Sequence, residues 1–208
     1  MNCIPFGNSI GGIFMSNSKK GTNVAVVGIF AALVVVLQFL SAFVKIGNFP
    51  LTLTLIPIVL GAVMYGPKVG AILGGVFGAV VVICCFTGID PGGAMLIQAS
   101  PVLTTLVCMA KGILAGVLPG LMFKAVGKKK PYLGTVLSAI VAPIGNTGLF
   151  LVAMMLLFKD ILVSWAGGAD TVYYIFTGLT GWNFVIEMAI NIVAAPLLYR
   201  VSKAVKKI

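Results

Sequence analysis

From Val24 onward the chain is a succession of apolar stretches separated by short Gly-, Pro- or Lys-rich punctuation. Long apolar runs read as membrane helices, and shorter ones bounded by Gly and Pro pair into spans. The pattern predicts six spans, at about 24–44, 51–65, 69–86, 98–123, 132–158 and 181–200. The second is short and contains Pro57, so it is expected to be kinked or partly unwound, as happens where a helix lines a cavity. The third carries Gly70, Gly74 and Gly78 in one four-residue register, and the fourth repeats the device with Gly112, Gly116 and Gly120. Such glycine faces imply that these two helices approach closely. Gly28 and Ala32, beside Ala31, make a smaller version of the same face in the first span.

Polar residues inside the spans are few and ordered. Asn183, Glu187 and Asn191 recur every four residues, so on a helix they form one stripe that cannot face lipid. Glu187 is the only carboxylate placed within a span, and Lys111 the only cation. Thirteen residues separate Lys111 from Lys124, and thirteen separate Glu187 from Arg200; at 1.5 Å per residue both lie roughly 20 Å above one basic face. Asn146, fourteen residues from Tyr132, falls at about 21 Å. The three residues are therefore expected to share a layer. Asn146 follows Pro143, which weakens the helix around it.

Composition agrees with a membrane class: 60% of the 208 residues are hydrophobic, 9% are charged, and mean hydropathy is +1.17, too apolar for a soluble domain. A net charge of +10 is explained by topology rather than by nucleic acid. Lys19, Lys20, Lys68, Lys124, Lys128, Lys129, Lys130, Arg200, Lys203, Lys206 and Lys207 fall on one side, and only Lys45 and Lys159 on the other. The positive-inside rule makes the first side, with both termini, cytoplasmic. The chain has no histidine, which excludes His-based zinc sites and Ser-His or Cys-His catalysis. Cys3, Cys84, Cys85 and Cys108 have no metal spacing and read as small apolar fillers.

Residues 1–23 fit no element and are expected to be a disordered cytoplasmic leader, with Met15 as a candidate true start; the six-helix domain occupies 24–207. The outer connection at 87–95 is rich in Gly and Pro and reads as turns. Gln98, at the outer start of the fourth span, and Trp165, among the aromatics of the long outer connection at 159–181, are candidate ligand contacts beside Lys111, Asn146, Asn183 and Glu187. The basic connection at 124–131 orients the protein and suits anionic headgroups.

Three uses of the intramembrane polar set remain open: a buried ion pair that fixes packing, the floor of a solute site, or an acid–base pair made by Lys111 and Glu187 in a small membrane enzyme. A self-contained secondary carrier is a further alternative, although six spans without an inverted repeat are few for one. No Walker-type loop is present, so any ATP-driven step belongs to a partner.

Five stretches together resemble the substrate-binding S component of the energy-coupling factor (ECF) vitamin transporters of bacteria. They are Gly28-Ile29-Phe30-Ala31-Ala32; Ile56-Pro57 through Gly61-Ala62, followed by Gly66-Pro67; Ala110-Lys111-Gly112 through Ala115-Gly116; Pro143-Ile144-Gly145-Asn146-Thr147-Gly148; and Asn183 to Glu187. The resemblance implies a non-catalytic, multi-pass subunit of the cytoplasmic membrane. Such a subunit binds a water-soluble vitamin from outside and docks on a membrane coupling subunit that carries two cytoplasmic ATPases. It then topples to release its cargo, with ATP used by the partners and no cofactor in this chain. The family's Ala-x-x-x-Ala docking motif falls on Gly28 and Ala32. Its pocket, under the first, third and fifth outer loops, puts Lys111, Asn146 and Glu187 at or below the floor and Asn183 nearer the ligand. The cations favour a carboxylate ligand such as pantothenate or lipoate, whereas the aromatics suit a flavin such as riboflavin.

Overall fold

In the computed structural model the backbone is described for residues 10–41, 43, 45–46, 49–50, 52–175, 177 and 181–206, and side chains for 24–41, 43, 52–175, 177 and 182–205. The leader before Ile10 and Lys207 lie outside these residues. Among the described residues the fold is all-helical apart from a two-residue antiparallel ribbon that pairs Lys45–Ile46 with Phe49–Pro50. Among the described residues five helical stretches are long and apolar enough to cross a bilayer: Val24–Ser41, Pro67–Phe86, Pro101–Gly127, Pro131–Leu157 and Trp182–Val205.

Helix α1 (Ile10–Ser41) begins inside the stretch assigned to the leader. The second apolar segment is α2 (Leu55–Tyr65), 11 residues or about 16 Å, half a hydrocarbon core of ~30 Å. It is not kinked. Pro57 stands in its first turn, where the missing N–H has no intrahelical acceptor to lose, and the expected unwinding lies ahead of Leu55 instead. Because Leu55, Ile58, Val59 and Ala62 are wholly buried, α2 is a core rod rather than a lipid-facing span.

Helix α3 (Pro67–Phe86) packs on α5 (Pro101–Met122) along the two glycine faces. A Cβ on Gly70 or Gly74 would collide with the carbonyl oxygen of Gly116 or Gly112 respectively, and the reverse substitutions would collide in the same way. The expectation of close packing is met backbone against backbone. The fourth span does not begin at Gln98. Ser100 is extended (φ −156°, ψ 96°) because a residue before proline is pushed out of the helical region. Gln98 therefore belongs to a separate short helix, α4 (Pro91–Ala99), started by Asp90, whose carboxylate accepts from the Gly93 amide at 3.1 Å. Part of the expected turn region is thus helical: Asp-Pro is an N-cap followed by a first-turn proline.

The fifth span is continuous but not uniform. Between α6 (Pro131–Pro143) and α7 (Leu149–Leu157) lies a π-helical turn, Ile144–Gly148, placed where the proline ring disturbs the carbonyl ladder. The outer connection forms α8 (Lys159–Ala166) and α9 (Thr171–Tyr174), and the chain closes with α10 (Gly181–Lys206). Outward-facing Ile29, Leu33, Ile72, Leu156 and Val193 present an apolar perimeter suited to lipid.

Candidate functional site

The polar stripe of α10 faces inward: Asn183, Glu187 and Asn191 are all buried, Glu187 with 3% of its surface exposed. What meets Glu187 is not Lys111. One carboxylate oxygen, Oε1, accepts from the Thr52 backbone N–H at 2.8 Å, and Oε2 accepts from the Thr147 hydroxyl at 3.1 Å. Thr147 sits in the π turn, and Thr52 lies just ahead of α2. The carboxylate therefore ties three elements together at the positive end of the α2 dipole.

This contact explains why a carboxylate stands at membrane depth. Residues 52–54 are non-helical, and irregular backbone inside a bilayer requires protein acceptors and donors. Each residue of this strap is held by such a bond. Thr52 N–H donates to Glu187, Leu53 N–H to the Ser41 hydroxyl at 3.4 Å, and the Thr54 hydroxyl to Gln38 Oε1 at 2.9 Å. Gln38 and Ser41, the polar interruptions of the first span, are thereby accounted for. Asn191 donates from Nδ2 to the Glu187 carbonyl at 2.8 Å, bonding within its own helix.

Lys111 is half-buried on the side of α5 that faces α7, with its Nζ 5.0 Å from the centroid of the Phe150 ring. No carboxylate is within ion-pair distance of it among the described residues. The buried Lys111–Glu187 ion pair is therefore not formed among the described residues; Glu187 meets Thr147 in the π turn, and Lys111 meets Phe150 three residues later, in the first turn of α7. Asn146, in the π turn, is buried, and its Oδ1 has no hydrogen-bond partner among the described residues. Of the three residues expected to share a layer, Glu187 is bonded to Thr147, the neighbour of Asn146, and Lys111 lies against Phe150.

Gln98 and Trp165 are brought together elsewhere. With Met95, Ala99, Asp160 and Ser164 they line an outer cleft of about 490 Å³ between α4 and α8. Trp165 packs on an apolar cluster that includes Leu96, Val107, Phe150, Phe158 and Leu162, and Lys111 meets the Phe150 of that cluster. A second cavity, of about 440 Å³, is lined by Ile144, Gly148, Leu151, Ile175, Trp182, Phe184 and Val185, and among the described residues it offers no polar side chain except the indole. Gly28 and Ala32 are exposed, with nothing within 4 Å of the position a Gly28 Cβ would take, whereas Ala31 turns toward the core cluster of α1, α2, α3 and α5. Sequence reasoning did not single out Thr52 or Phe150. Neither has a signal of its own, since each matters only for what it touches.

Comparison with known proteins bears on this arrangement. The chain is 27% identical over 186 residues to the pantothenic acid transporter PanT of Lactococcus lactis subsp. cremoris (strain MG1363), an alignment covering 84% of this chain and 90% of the relative. The family described as ECF transporter, substrate-specific component, matches residues 22–199, which take in every span but the last turns of α10. The chain thus belongs to the substrate-specific components of ECF transporters, multi-pass proteins of the bacterial cytoplasmic membrane.

Proposed function

We propose that the chain captures pantothenate, or a closely similar hydroxylated carboxylic acid, for uptake driven by ATP hydrolysis in partner subunits. Lys111 receives the carboxylate and Asn146 an amide or hydroxyl. The observation that carries this reading is the placement of Lys111: Glu187 is hydrogen-bonded to Thr52 and Thr147, and the half-buried Lys111 has no ion-pair partner among the described residues, so an anionic ligand would satisfy it. The unpartnered Oδ1 of Asn146 in the adjoining turn calls for a donor, which a hydroxyl or amide N–H of such an acid supplies. The name of the lactococcal relative agrees with this chemistry and favours pantothenate over lipoate and riboflavin. Gln98 and Trp165, in the outer cleft, are assigned to first contact, and Asn183 to the path between cleft and layer. Glu187 is assigned to positioning rather than to ligand contact.

Calorimetry on the purified subunit tests the reading. Pantothenate is expected to bind, and Lys111→Met to weaken it by about 10- to 100-fold, the worth of one charge-assisted hydrogen bond, without lowering the melting temperature. Pantothenol, in which an alcohol replaces the carboxylate, should bind wild type and Lys111→Met alike. Equal pantothenate affinity in the two proteins would remove Lys111 from the site.

In this reading the chain crosses the membrane six times, the second crossing being made by the strap and α2 together. The strap starts at the level of Glu187, about 20 Å above the basic face, and α2 covers the remaining depth. Both termini are then cytoplasmic. The outward Gly28–Ala32 face of α1 is the docking surface for the membrane coupling subunit with its two ATPases. Gly28→Trp combined with Ala32→Trp is expected to abolish co-purification with that module while pantothenate binding persists; unchanged co-purification would place docking on another face.

A further inference from the structure

The basic end of the bundle takes no part in the site above. Three parts of the chain meet there. The turn at Gly66 and Pro67 presses on the end of α5, where a Cβ on Gly120 would stand 2.6 Å from the Pro67 Cα. Beyond α5 the chain continues through a second π turn, Phe123–Gly127, whose Gly127 backbone packs against Gly134 of α6. The last turns of α10 reach the same corner, with the Tyr132 and Tyr199 rings edge to face at 5.4 Å and 84°.

This convergence gathers Lys68, Lys124, Lys128, Lys129, Lys130, Arg200 and Lys203, all exposed. None has an acidic partner among the described residues, because all four acids are placed elsewhere. Asp90 caps α4, Asp160 lies in α8, Asp170 caps α9 and Glu187 is in the interior. Beside the charges lie exposed apolar side chains, Leu121 at 46%, Leu133 at 42% and Leu197 at 62%.

We propose that this corner binds an anionic phospholipid, its headgroup phosphate held by the lysines of the 124–130 connection and by Arg200, and its acyl chains lying along Leu121, Leu133 and Leu197. The combination selects a lipid over a soluble anion. So open a patch of lysines holds a small phosphate weakly, whereas a lipid adds apolar contact at the level where the spans end. Lysine stems lie on apolar surface and extend their ammonium groups into the headgroup layer. Arg200 offers the planar fork that grips a phosphate through two hydrogen bonds, and tyrosines sit by preference at this depth.

The test uses the full chain in nanodiscs of phosphatidylcholine doped with phosphatidylglycerol, followed by native mass spectrometry of the lipids retained after release into detergent. Phosphatidylglycerol should be retained at about tenfold above its bulk ratio, as a cluster of headgroup-level cations implies, and this enrichment should fall at high salt. Joint replacement Lys128→Gln, Lys129→Gln, Lys130→Gln and Arg200→Gln should return the ratio to bulk. Lys159→Gln, at the other end of the molecule, should leave it enriched. Melting in pure phosphatidylcholine reports whether the quadruple variant folds, and added phosphatidylglycerol should raise the melting temperature of wild type only. The proposal is overturned if wild type shows no preference or if the quadruple variant keeps it. It also falls if the variant retains its lipid but no longer recovers partner subunits, which would make the corner a protein interface.

Discussion

Gly112→Val is expected to prevent stable folding of the membrane domain, and Gly116→Val to do the same. A Cβ at Gly112 collides with the Gly74 carbonyl oxygen and stands 3.0 Å from the Cα and N of Gly78; at Gly116 it collides with the Gly70 carbonyl. These neighbours are backbone, which cannot rotate out of the way as a side chain can, so α3 and α5 must move apart along their whole contact. Overpacking a core costs about 1–3 kcal/mol where side chains can adjust. Here a loss of at least ~3 kcal/mol is expected, a large share of the ~5–15 kcal/mol that holds a typical domain together. Gly75→Ala is the internal control. Its Cβ would stand 4.0 Å from Ile113 Cγ1, an ordinary contact, and the change is expected to be neutral or mildly stabilising through helix propensity. Melting temperatures in detergent decide the matter: a Gly112→Val protein as stable as Gly75→Ala would show that the two glycine faces are not in contact.

Glu187→Ala should be nearly as damaging, but for a different reason. Hydrogen bonds to a carboxylate are worth about 1.5–3 kcal/mol each, and Glu187 accepts them from Thr52 and Thr147, so a loss of at least ~3 kcal/mol of stability is expected. The Thr52 N–H is then left without an acceptor at membrane depth, the strap ahead of α2 loosens, and ligand affinity falls with it. Glu187→Gln separates geometry from charge. The Gln carbonyl can still accept from the Thr52 N–H, and its amide can donate to Thr147 once that hydroxyl turns from donor to acceptor. Most of the stability and of the pantothenate affinity should therefore return. Were Glu187→Gln as unstable as Glu187→Ala, the negative charge itself would be required, and a through-space balance with Lys111 would replace the positioning role.

Much of the fold is legible in the pattern alone, because a bilayer permits few solutions. Long apolar runs must be helices, glycines repeating every fourth residue must mark a close contact, and a stripe such as Asn183, Glu187 and Asn191 must turn inward. Where the reading failed, local chemistry competed with hydropathy. The Ser100–Pro101 step divided an apolar run that continues through Gln98, and Pro57 lost its effect by falling in a first turn. Hydropathy is blind to both, since neither break changes the apolar content of the window.

That the polar residues of the spans turn inward was decidable from the sequence, as the burial of Asn146, Asn183, Glu187 and Asn191 shows; the pairing among them was not. Counting residues from the basic face assigns Lys111, Asn146 and Glu187 to one depth, because helical rise is constant whatever the neighbours. Opposite charges at one depth suggested an ion pair. Only the tertiary arrangement showed the carboxylate turned to Thr52 and Thr147 and the ammonium turned to Phe150. The reason is rotational: depth along a helix follows from sequence position, whereas the direction a side chain faces depends on how α5, α7 and α10 are turned about their axes, and on an unwound strap whose bare N–H needed an acceptor more than the lysine did.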